Sequence, residues 1–65
     1  MQIILNGQSR DVIDGATVAS LLDDLSLTGK PLAVEVNLEL VPRQRHAQRL
    51  AEGDCIEIVT LVGGG

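Results

Sequence analysis

Residues 55–65 read CIEIVTLVGGG, and the fold turns on where the apolar part of that stretch sits. Successive strand side chains point to opposite faces, so Ile56, Ile58, Thr60 and Val62 share one face, which is assigned to the core. Cys55, Glu57, Val59 and Leu61 share the other. A strand this apolar belongs inside a sheet, beside the other strongly apolar segment, QIILN at residues 2–6. Laying the first and last strands side by side in parallel requires a long crossover between them.

The intervening residues supply that crossover. Asn6-Gly7 signals a hairpin, because a type I′ turn needs two positive φ angles. Residues 9–13 then return antiparallel, and Asp14-Gly15 turns again. Thr17 stands where a helix N-cap belongs, before Val18, Leu21, Leu22 and Leu25 at i, i+3, i+4 and i+7. Burying that stripe contributes about 1.5–3 kcal/mol per side chain before entropy is subtracted. Pro31 cannot continue the helix. Residues 32–38 alternate as a half-buried strand, with Leu32, Val34, Val36 and Leu38 inward and Ala33, Glu35 and Asn37 outward. Residues 39–43 make a short edge piece stopping at Pro42. Residues 44–50 are polar with weak helical character, residues 52–54 turn, and residues 55–62 form the last strand. The pattern is α+β, a β-grasp: a mixed sheet of four to five strands with one main helix on one face. Residues 1–62 form the domain, and residues 63–65 a flexible glycine tail.

At 65 residues the chain is one domain, and such a domain buries only about 60% of its unfolded surface. One cysteine and one histidine, Cys55 and His46, allow neither an internal disulfide nor a Cys/His zinc quartet. Aromatic residues are absent although 45% of the chain is apolar, and the net charge is −4. Nucleic-acid binding, which needs a basic footprint and often stacking rings, is excluded. An acidic surface favours basic protein partners and solubility. No leader-like segment opens the sequence and no run approaches the ~20 apolar residues of a membrane span. Cytoplasmic residence is the expectation.

The body and tail together resemble a known family. Asn6-Gly7, TVASLL at 17–22, VNLELVPR at 36–43 and GDCIEIVTLVGGG at 53–65 are similar to the bacterial thiamine-biosynthesis sulfur carriers, the ThiS family of the ubiquitin-like β-grasp superfamily. The likeness spans the whole chain. The N-x-x-x-V-P-R stretch from Asn37 to Arg43 is its more specific part, and Gly-Gly alone would be weak. Gly63 before the terminal pair is a departure, as is His46 where relatives often carry an aromatic residue. The resemblance implies sulfur carriage on the carboxylate of Gly65. An ATP-dependent, ThiF-like adenylating enzyme would join that carboxylate to AMP. Sulfur from a persulfide, derived from a cysteine desulfurase, would displace AMP, and a ThiG-like thiazole synthase would consume the thiocarboxylate. The chain would then be a substrate of enzymes rather than an enzyme, with no cofactor or metal of its own.

The residues suit that role. A free carboxylate is a poor electrophile and needs an activated leaving group. Each extended residue spans about 3.3–3.6 Å, so three glycines reach roughly 10 Å into a partner. Lacking Cβ, Gly64 and Gly65 pass a narrow channel and leave the carbonyl open to attack. Taken alone, three glycines read equally as a linker remnant or a frayed end. Ile4, Val59 and Leu61, on the sheet face away from the helix, are expected to form an exposed apolar docking patch beside the tail. Cys55 has no nearby cation to lower its pKa and reads as packing or surface. His46 lies in a polar turn with no nucleophile placed for it. Asp23 and Asp24 fit an acidic docking surface and a plain solvent face equally well. Other roles remain open at this level: a ubiquitin-like modifier conjugated through Gly65, a carrier for molybdopterin synthesis, or a regulatory β-grasp module whose activity survives loss of the tail.

Overall fold

The computed structural model describes residues 1–61. In chain order the elements are β1 (Gln2–Leu5), β2 (Gln8–Asp11), α1 (Val18–Asp24), β3 (Leu32–Val36), β4 (Glu39–Leu40), a 3-10 turn (Arg43–Arg45) and β5 (Cys55–Thr60). The five strands form one sheet in the order β2-β1-β5-β3-β4. Its centre is β5, parallel to β1 and antiparallel to β3. Among the described residues, this is the expected mixed β-grasp sheet with one helix.

Local chemistry explains the turns. Asn6 and Gly7 both take positive φ, 48° and 84°, as a two-residue hairpin of this twist requires. At the start of α1, Thr17 Oγ1 accepts from the Ser20 N–H at 3.0 Å, and Ser20 Oγ accepts from the Thr17 N–H at 2.8 Å. That reciprocal box satisfies two of the donors a helix start leaves free. The helix ends earlier than Pro31 suggests. Ser26 adopts φ 59°, its N–H donates to Asp23, and the Leu27 N–H donates to Leu22. This is a Schellman closure with serine in the place glycine usually takes.

One face of the sheet and the inner stripe of α1 make the core. Ile3, Val18, Leu21, Val34 and Ile56 are its largest fully buried side chains, and among the described residues no polar residue is buried with them. Leu22, Ala16, Val36, Val41, Leu50 and Ile58 complete it, while Leu25 packs against it half-buried.

Three expectations need correction. Leu38 does not join Leu32, Val34 and Val36 on the inner face: β3 stops at Val36, and Leu38 is 89% exposed. Asn37 and Leu38 carry φ values of 52° and 70°, so they form the turn into β4 rather than the end of a strand. The weakly helical segment shrinks to the 3-10 turn at Arg43–Arg45. Finally, β5 ends at Thr60, which is exposed rather than in the core; Val62 lies outside the described residues.

Candidate functional site

The residues leading to the glycines are held by two asparagines. Asn6, in the β1–β2 turn, reaches across to β5: Ile58 N–H donates to its Oδ1 at 2.8 Å, and its Nδ2 donates to the Ile58 carbonyl at 3.3 Å. Its side-chain amide thus acts as one more strand residue beyond the end of β1. Asn37 does the same work at the other end. Its Oδ1 accepts the Cys55 N–H at 2.9 Å, its Nδ2 donates to Asp54 Oδ1 at 2.9 Å, and its backbone N–H donates to the Cys55 carbonyl. Left-handed backbone suits asparagine better than most residues, and it aims both side chains at β5. Further along, Leu61 N–H donates to the Pro31 carbonyl at 2.9 Å. The chain is therefore tethered to the sheet up to the last described residue. Gly63, Gly64 and Gly65 lie beyond it, outside the described residues.

On the sheet face away from α1, Val59 and Leu61 are 58% and 56% exposed. Val59 stands opposite Ala33 of β3, so these apolar residues sit together beside the exit of the chain. The third expected member is elsewhere. Ile4 is half-buried and in register with Cys55. Four residues of strand, about 13 Å at ~3.3 Å each, separate that position from Val59. Leu40 of β4, 59% exposed, lies on the same outer face opposite Glu35. It was not anticipated, because its face depends on the turn that Leu38 makes. Between the two ends of the outer face, Glu35 stands directly opposite Glu57. Directly opposed like charges are unfavourable in a sheet.

The remaining candidates are plainly placed. Cys55 is a free, exposed thiol. His46 is half-buried, with Nε2 3.1 Å from the Val41 carbonyl, which anchors the turn after β4. Asp23 and Asp24 are exposed at the end of α1. Among the described residues, no group of His, Cys, Asp and Glu is arranged to hold a metal, and no helix is long and apolar enough to cross a membrane.

The ThiS family profile matches residues 3–65. The sulfur carrier protein ThiS of Escherichia coli K12 is 35% identical, with the whole of both chains covered. A thiazole synthase of Paramagnetospirillum magneticum is 41% identical over all of this chain, which spans only 20% of that protein's length. The crystal structure of the thiamine biosynthesis protein ThiS from Geobacter metallireducens is similar with a TM-score of 0.76 at 31% identity, both chains being fully covered.

Proposed function

The chain belongs to the ThiS family, the sulfur carriers of thiamine biosynthesis, and from that premise we propose that Gly65 carries the sulfur as a C-terminal thiocarboxylate. The observation that carries the reading is the extent of the family match: it runs through the glycines to residue 65. An adenylating enzyme attaches the Gly65 carboxylate to the α-phosphorus of ATP, and pyrophosphate leaves. A persulfide sulfur, supplied through a cysteine desulfurase, attacks the acyl-adenylate carbonyl. The acyl C–O bond breaks and AMP leaves, and a thiol then cleaves the remaining S–S bond, taking the donor's sulfur as a mixed disulfide and leaving the thiocarboxylate. The chain performs no catalysis; partner enzymes act on it.

Thiazole synthase is the proposed acceptor. A protein of that name contains a region 41% identical to this whole chain, which supports the two activities working on a common path. Val59 and Leu61, with Ala33 beside them, form the proposed docking surface for these enzymes, and Ile4 marks its far margin. The burial such a contact supplies offsets the cost of ordering Gly63, Gly64 and Gly65 in a partner's channel.

ATP–pyrophosphate exchange by the cognate adenylating enzyme tests the assignment of the acceptor atom. Adding a single glycine after Gly65 moves the carboxylate about 3.5 Å along the channel, and exchange should stop. Gly65→Val keeps the carboxylate in register but crowds the carbonyl, and should also fail. Exchange with either variant at the parent rate would place the acceptor elsewhere.

A further inference from the structure

A groove of about 390 Å3 opens between the C-terminal end of α1, the loop leading into β3, and the turn after β4. Leu22, Leu32 and Val41 line its apolar part, and Lys30, Arg43 and His46 also border it. Among the described residues, no acidic side chain does. That is unusual on this surface, since the chain has nine acidic residues against five Lys and Arg. The Arg45 guanidinium is close by as well, donating to the Leu40 carbonyl at 3.4 Å.

The groove also coincides with an open stretch of sheet edge. β4 pairs only with Glu35 and Val36. The Val41 N–H donates to the Val34 carbonyl at 2.8 Å, after which Pro42 leads the chain away. Leu32 and Ala33 are paired with β5 on one side and, among the described residues, have no strand on the other. Alternate residues of an antiparallel strand direct both backbone groups to the same side. The Val34 carbonyl faces β4, so Leu32 faces that open side too. An unpaired edge accepts an added strand through its backbone groups.

We propose that this groove binds an acidic, extended peptide segment of a partner protein, which adds beside Leu32, places an apolar side chain against Leu22 and Val41, and sets carboxylates on Lys30 and Arg43. The apolar floor supplies burial, the edge supplies register, and the cations select for acidic sequence. The groove residues are not those proposed to carry sulfur, so its test needs neither ATP nor a sulfur source and stands or falls apart from the sulfur chemistry.

Amide-resolved NMR titration of the full chain tests it. The probe is a short blocked peptide in which Glu alternates with Leu and Val. Its amides should shift Leu32, Ala33 and Leu40 in the protein saturably. Lys30→Gln with Arg43→Gln should weaken that binding roughly fivefold to tenfold, as the loss of two exposed ion pairs implies. A peptide N-methylated at the edge-facing amides should lose the shifts. Both replaced residues are exposed, and an unchanged amide spectrum checks that the double variant is folded. Equal binding by the Lys-for-Glu peptide would overturn the proposal, as would shifts that avoid the groove or ignore the double substitution. Saturation by octanoate with no response to the Glu peptide would instead identify a small-anion site and overturn it too.

Discussion

Replacing Asn6 tests whether one side chain fixes the central strand. Asn6→Ala removes both hydrogen bonds to Ile58, whose lengths are 2.8 and 3.3 Å. At a net ~1 kcal/mol for each bond, and somewhat more where a partly buried backbone group loses its partner, the loss is about 2–3 kcal/mol. Alanine must also adopt the φ of 48° that Asn6 has, which adds about 1 kcal/mol. The sum, about 3–4 kcal/mol, is a large part of the roughly 3–10 kcal/mol available to a domain of this size. The melting temperature should fall by about 15–25 °C. Asn6→Gly removes the same bonds without the positive-φ strain and should be less damaging by about 1 kcal/mol. The chain has no aromatic residue, so urea unfolding is followed by far-UV circular dichroism, with the slope in urea expected unchanged. If both variants unfold within about 0.5 kcal/mol of the parent, the asparagine clamp contributes nothing and the reasoning fails.

Leu38→Gly should stabilise the protein. Leu38 is 89% exposed at φ 70°, so relieving its strain outweighs glycine's entropy by about 0.5–1 kcal/mol; an unchanged or lower melting temperature refutes this. Glu57→Gln removes the like-charge pairing with Glu35 and should add a few tenths to about 1 kcal/mol at low ionic strength. The gain should shrink in high salt; salt-independent stabilisation would assign the gain to another cause. Leu61→Glu should change stability by no more than about 0.5 kcal/mol, since the side chain already faces water, yet weaken the complex with the adenylating enzyme in a calorimetric titration. Undiminished binding by the folded variant would remove Leu61 from the docking surface.

What was legible in the sequence depended on how local each determinant was. Asn6-Gly7 and Thr17 announce their turn and cap within a few residues, and both are where they were expected. The alternation through Val34 and Val36 also reads correctly, but it continues numerically into Leu38 across a turn containing no glycine. Periodicity cannot see that the strand has ended there. Ser26 closes α1 in a position where glycine would have been the readable signal. The Asn6 clamp joins residues 52 apart, and nothing in either local sequence points to the other. Strand register is similarly non-local. The inward and outward sets of β5 were readable from parity through Val59, whereas the position of Ile4 required knowing that it pairs with Cys55. The glycines were conspicuous throughout, yet only the likeness of the whole body to one family gives them a chemical role.

Intact-mass spectrometry of the chain tests the central claim most directly, after incubation with the adenylating enzyme, a persulfide source and a thiol reductant. With ATP present, the protein should gain the mass of one sulfur less one oxygen. Fragmentation should place that gain on Gly65. Without ATP nothing should be gained, because sulfur does not displace oxide from an unactivated carboxylate. A gain on the exposed Cys55 thiol with Gly65 unaltered, or a gain on Gly65 that does not depend on ATP, would contradict the account.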